Sequence, residues 1–214
     1  MVFDTSKEPE ISFDPMDIPQ DWPRLAAIDY GMDHPTAVVW GAHDLESDTL
    51  YIYDLYYKKG GDVIVNSAAI NSRNKQIPLV WPKDGLQRDK GSGIGLAQQY
   101  RDQGVNMLHD FFRNETATTK EKGGQFSVEA GISELNIRIN TGRLKVASHL
   151  TDWFDEFRSY HRKEGNIVAM HDDAMSATRY LTMSLRFATQ VSGSGSNSGF
   201  NLKGDLPIQD WAGF

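Results

Sequence analysis

RLAAIDYGMDHPTAVVW occupies residues 24–40 and places a carboxylate between two apolar runs. Leu25, Ala26, Ala27 and Ile28 form an apolar run of the kind that enters a core as a strand. That run delivers Asp29, a turn built on Gly31 and Pro35 follows, and Val38 and Val39 begin a second apolar run. A carboxylate at the end of a central strand is costly unless it is paired, neutralised or bound to a cation. Strands are expected at 24–30 and 36–43, with a third at 49–57, where TLYIYDLYY alternates as a half-solvated antiparallel strand should. The short connections make these three an antiparallel meander.

Beyond the meander the period changes. DVIVNSAAINSRN (62–74) reads as a helix, IPLVWP (77–82) as a short buried strand, GIGLAQQYRDQG (93–104) as a helix stopped by Gly104, and VNMLHDF (105–111) as a strand. A polar stretch covers 112–125. A helix at 127–142, the short strand RLKVA (143–147), an amphipathic helix at 149–165, the strand NIVAM (166–170) and a last helix at 171–189 complete the pattern. In the 149–165 helix, Leu150, Trp153, Phe154, Phe157 and Tyr160 share one face and read as core. Asp172 or Asp173 reads as the cap of the last helix. A meander followed by alternating strands and helices predicts an α/β fold: a mixed sheet with helices on both faces.

The flanks differ in character. Residues 1–23 hold Pro9, Pro15, Pro19 and Pro23 and read as an extended arm or linker before a domain at 24–190. Residues 191–214 read as a Gly/Ser linker and a tail, FNLKGDLPIQDWAGF, whose Phe200, Leu202, Leu206, Ile208, Trp211 and Phe214 suit a docking peptide.

Composition narrows the chemistry. With 214 residues, 39% hydrophobic and 24% charged, the chain is an ordinary globular one able to bury a core. No apolar run approaches the roughly 18 residues of a membrane span, and the acidic N-terminus lacks a signal-peptide pattern. Without cysteine there is no disulfide or thiolate metal site, so a metal here would take oxygen or imidazole ligands. A net charge of −7 speaks against a protein that coats nucleic acid, though not against one that touches DNA locally.

Four acids stand at places where chemistry could converge. Asp29 ends the first strand, Asp84 follows the buried strand in WPKDG, and Asp172 and Asp173 open the last helix. Carboxylates brought together repel and raise one another's pKa unless a cation sits among them. An all-oxygen set suits Mg²⁺ or Mn²⁺, and two such ions about 3.5–4 Å apart serve phosphodiester hydrolysis. Each acid also has a plainer role: a turn at Asp29 or Asp84, a cap at Asp172 or Asp173. Of the pair, Asp173 is favoured as the closer ligand. His171 beside it could assist a metal or a phosphate, or simply be solvated. Lys83, Arg88 and Lys90 flank Asp84, and Lys120 and Lys122 lie in the polar stretch; all five are candidate phosphate contacts. GSGIGL (91–96) matches no standard phosphate-loop fingerprint and reads as a helix entry.

AIDYG (27–31), the meander, WPKDG (81–85), SVEAGISELNIRINTGRLKVA (127–147), EFRSYHR (156–162) and HDDAMSATRYL (171–181) together resemble the nuclease domain of tailed-phage terminase large subunits, over roughly 24–190. The resemblance implies a ribonuclease-H-like fold and a metal-dependent endonuclease that cuts concatemeric double-stranded viral DNA during headful packaging. It implies Asp29 and Asp84 as the first two metal-binding acids, the Asp172/Asp173 pair as the third, and two Mg²⁺ or Mn²⁺ ions as cofactors. Ser176 stands where many relatives carry a further Asp, so no fourth acid is expected there. Implied partners are double-stranded DNA, the portal protein of the procapsid, the terminase small subunit and an ATPase half. No G-x-x-x-x-G-K-[ST] string for that half occurs in this sequence. The implied location is the host cytoplasm. Competing readings are a resolvase-like nuclease for branched nucleic acid, an actin-like or sugar-kinase ATPase, for which no duplicated second half is visible, and a non-catalytic portal-docking module.

Overall fold

The computed structural model describes residues 1–31, 34–88, 91, 93–113, 128–168 and 171–191. Residues 1–23, expected to be extended, instead contain a 3₁₀ turn (Thr5–Lys7), a short helix α1 (Glu8–Ile11) and a strand β1 (Ser12–Phe13). Pro9 falls in the first turn of α1, where an N–H has no intrahelical acceptor to lose. Phe3 and Ile11 are buried in the main core, so this segment packs as part of the folded body.

The expected meander is present as β2 (Arg24–Asp29), β3 (Pro35–Asp44) and β4 (Thr49–Lys59), paired antiparallel in sequence order. α2 (Val63–Asn71) follows, its first turn capped by the Asp62 carboxylate, which accepts from the Val65 N–H at 2.8 Å. β5 (Leu79–Val80) pairs parallel with β2. α3 (Leu96–Asp102) comes next, with Gly104 at φ +81° beyond its end. The expected strand at 105–111 reduces to one parallel bridge, Leu79 to Met107, reinforced by the Trp81 indole N–H donating to the Leu108 carbonyl.

α4 (Val128–Asn140) and β6 (Leu144–Ala147) lie close to expectation. α5 (Thr151–Ser159) ends well short of residue 165. The remainder of that stretch forms a hairpin of β7 (Arg162–Lys163) and β8 (Asn166–Ile167). Its turn residues Glu164 and Gly165 both have positive φ, 51° and 81°, which matches the right-handed twist of a two-residue hairpin and cannot continue a helix. The final helix α6 runs Asp173–Thr182 and gives way to a 3₁₀ turn, Leu185–Phe187, instead of reaching 189. The expected polar stretch from 114 onward, the linker and the tail fall outside the described residues.

The six-stranded sheet has the order β1-β6-β4-β3-β2-β5, with β1, β6 and β4 parallel to their neighbours on one side and β5 parallel to β2 on the other. Side chains alternate across it. Leu25, Ala27, Ala37 and Val39 face a core shared with α4, α5 and α6, whereas Ala26, Ile28, Val38 and Trp40 face a core shared with α2 and α3. The aromatic face of α5 is core as read: Trp153, Phe154, Phe157 and Tyr160 are all buried. Burial of large side chains on both faces is what the two-sided apolar run of β2 requires.

Candidate metal centre

The alternation along β2 aims Asp29. It continues the face of Leu25 and Ala27, so its carboxylate lies on the side where α6 packs across β2 and β3. Tyr30 turns to the opposite face and packs against Tyr100. The chain then reverses tightly at Gly31, where a Cβ would stand 2.1 Å from the His34 carbonyl oxygen and 2.3 Å from Pro35, so only glycine fits.

Across from Asp29, α6 presents the acid pair at its start. Asp172 occupies the cap position but its side chain makes no capping hydrogen bond, which corrects the expectation that an Asp of the pair caps this helix. The capping comes from α5 instead. Glu156, 3% exposed, reaches the helix start and its Oε2 accepts from the Met175 N–H at 3.0 Å. A carboxylate there also complements the positive end of the helix. Asp172 and Asp173 are thereby released from capping. Just before them, His171 adopts φ +55°, a left-handed conformation costly for a non-glycine residue, and lies exposed at the turn into α6.

The electrostatics follow from this crowding. Burial, then the charges of Asp173 and Asp172, push the Asp29 carboxyl well above the ordinary range; Asp84 adds to the rise and Arg179 opposes it. Asp172 is raised by burial and by Asp173, and Asp173 by burial, against the pull of His34. Burial also lifts Glu156 to about 7, opposed by the Tyr57 hydroxyl and the Met175 N–H. Asp173, 3% exposed, accepts a hydrogen bond from His34 Nδ1 at Oδ1, while its Oδ2 is buried without a partner. Among the described residues, no three His, Asp or Glu side chains are already closed around a single ion position.

Asp84 sits in a 3₁₀ turn, Lys83–Leu86, just past β5, and is exposed. It lines a cleft with Lys83, Phe112, Arg179 and Tyr180. Its charge is felt at Asp29 and at Tyr180, so the two acids share one electrostatic neighbourhood. Lys83 and Arg88 are exposed on the same segment; Lys90, Lys120 and Lys122 lie outside the described residues.

Three residues at this centre were not singled out from sequence. His34 had a signal, since it closes the GMDHP turn that begins at Asp29's own strand end. Arg179 had one too: seven residues after Asp172, it falls on the same face of α6. Glu156 had none, because its partner lies on another helix.

Comparison with known proteins agrees with this architecture. The terminase RNaseH-like domain family matches residues 26–185. The large terminase subunit of Salmonella phage P22 is 38% identical over 185 residues, 86% of this chain; the chain spans 36% of that protein's length. The solved nuclease domain of the P22 large terminase superposes with a TM-score of 0.74, covering 86% of this chain and 91% of that one at 38% identity. The nuclease domain of the large terminase of bacteriophage SPP1, solved with bound Mn, shares the fold at a TM-score of 0.53 and 12% identity, covering 79% of this chain and 92% of that one. The chain belongs to the terminase RNaseH-like domain family, whose mixed sheet and covering helices it reproduces.

Proposed function

We propose that the chain is a divalent-cation-dependent endonuclease that cleaves double-stranded DNA during viral genome packaging, as the nuclease part of a terminase large subunit. The observation that carries this reading is the mutual repulsion of Asp29, Asp172 and Asp173 across the β2–α6 gap, with Asp84 adding its charge from the cleft. Paired burial of like charges is expensive, and a cation is its natural remedy. The donor set fits a hard ion: every acid offers oxygen, and Asp173 Oδ2 is buried without a partner. Asp29, Asp84 and Asp173, with Asp172 alongside, would hold Mg²⁺ or Mn²⁺. The SPP1 nuclease solved with Mn is consistent with that choice.

The chemistry such ions supply is activation of a water nucleophile and stabilisation of the leaving oxygen of a phosphodiester. The protein's own part is positional. β2 fixes Asp29 in the sheet, Glu156 fixes the start of α6, and His34 orients the Asp173 carboxylate. Lys83 and Arg88, exposed beside Asp84, suit contacts with the phosphate backbone, which position DNA without reading its sequence. Target choice would then come from the rest of the motor: the ATPase half, the small subunit and the portal.

Supercoiled plasmid incubated with the chain and Mg²⁺ or Mn²⁺ tests the reading. Conversion to open-circular and linear forms, abolished by EDTA and by Asp29→Asn or Asp84→Asn, is expected. A wild-type chain inert with both metals would defeat it.

A further inference from the structure

Arg179 sits in the interior of this centre, 6% exposed, on the face of α6 that also carries Asp172. No carboxylate among the described residues lies within ion-pair distance of it, and its Nε is buried without a hydrogen-bond partner. A guanidinium held that way is costly, because burial removes water and the neighbouring Tyr180, its one side-chain hydrogen-bond partner among the described residues, replaces only part of it. The fold nevertheless makes room for it. α4 has Gly131 where the arginine passes, and a Cβ there would lie 2.2 Å from Arg179 Cγ and 2.5 Å from Cδ. Its guanidinium is also held over the Tyr180 ring, 4.6 Å from the centroid. The side chain lines the same cleft as Lys83 and Asp84.

We propose that Arg179 is a phosphate-binding residue of the cleft, its guanidinium taking a non-bridging oxygen of the DNA phosphate that the neighbouring acids address. The assignment rests on the nuclease reading above and deepens it. A planar, pre-oriented guanidinium suits phosphate better than an ammonium does, because its donors match two oxygens at once. Asp84 in the cleft and Asp29 and Asp172 beside it repel DNA, so a fixed cation next to Lys83 helps admit the phosphate to the site. The plainer account makes Arg179 only a counter-charge for Asp29, whose carboxyl it helps keep ionised. The two accounts part on DNA binding, since a counter-charge has no phosphate contact to lose.

The test uses Arg179→Gln and Arg179→Lys. Affinity for a short duplex is measured by fluorescence anisotropy in Ca²⁺ across a salt series, beside plasmid cleavage in Mn²⁺ and thermal melting. Loss of one phosphate contact lowers the slope of log affinity against log salt by about 0.9. The expected result for R179Q is that lower slope, with cleavage slowed by roughly 10²–10³-fold, as for loss of one donor to developing charge. R179K is expected to keep the wild-type slope and recover part of the rate. If R179Q does not fold, Gly131→Ala, which displaces the arginine and keeps net charge, is expected to lower the salt slope and slow cleavage in the same way, and an unchanged slope in that variant overturns the assignment. A cleaving wild type whose R179Q variant keeps the full salt slope overturns the assignment, even if rate and melting temperature fall together. A wild type that does not cleave in Mg²⁺ or Mn²⁺ defeats the nuclease reading instead.

Discussion

Asp29 is a strand-end carboxylate that folding protonates more readily than water does. Burial and the charges of Asp173 and Asp172 raise it, and the same causes raise its two neighbours on α6. Each of these groups binds its proton more tightly folded than unfolded, so the native state carries more protons and stability falls as pH rises. The contribution is complete below the ordinary carboxylate range near about 4. It is lost through the folded values, with Glu156, at about 7, carrying the window to neutrality. In EDTA the melting temperature is therefore expected to be lower at pH 8 than at pH 5, and Mn²⁺ at pH 8 is expected to reverse the loss. Calorimetry at the two pH values with and without Mn²⁺ checks both halves. Asp29→Asn removes one repelling charge and should raise the metal-free melting temperature at pH 8; each ~1 kcal/mol relieved is worth roughly 2–4 °C in a domain of this size. A sharp drop instead would mark Asp29 as a structural residue.

At the level of the elements, the start of α6 carries the argument. An Asp at a cap position normally contributes about 0.5–2 kcal/mol. Asp172 makes no such bond and Glu156 of α5 holds the Met175 N–H instead. Asp172→Ala is therefore expected to leave urea stability unchanged or raised in EDTA. Glu156→Ala is expected to cost roughly 1–3 kcal/mol by orphaning a buried N–H, and Glu156→Gln, which keeps the acceptor, to cost much less and to flatten the pH dependence between about 4.5 and 7. Equal losses for Asp172→Ala and Glu156→Ala would restore the local cap. This element also shows where sequence legibility stopped. The meander could be read from β2 onward because alternation and apolar runs are local signals. Asp172 was misread because the competing acceptor is on another helix. The length of α5 was overread because polar residues run on into the HRKEG stretch, whereas the helix already ends at Ser159, Tyr160 turns extended, and the following residues form a hairpin turned at Glu164 and Gly165. The bare bridge at Met107 met a strand expectation because an apolar run there satisfies burial without a full ladder.

In the whole molecule, one sheet with a core on each face leaves its acid cluster where β2 ends and α6 begins, beside the parallel neighbour β5 that leads to Asp84. The four acids could be named from sequence because each marks an element boundary; their electrostatic coupling could not, since it depends on how α6 crosses β2. The N-terminal segment was misjudged for a different reason. Its prolines suggested an arm, yet β1 completes the sheet edge beside β6, and the Ser148 N–H donates to the Phe13 carbonyl at 2.8 Å. Ile11→Ala should then cost about 2–5 kcal/mol in urea unfolding, as for a buried isoleucine, whereas a value near zero would return the segment to a linker. The acids are expected to hold one cation site. Anomalous diffraction from a crystal soaked in Mn²⁺ measures this most directly. The expected result is Mn²⁺ density bounded by carboxylate oxygens of Asp29 and Asp173, with Asp84 or Asp172 completing the set. Mn²⁺ bound only elsewhere, with Asp29 and Asp173 untouched, would contradict it.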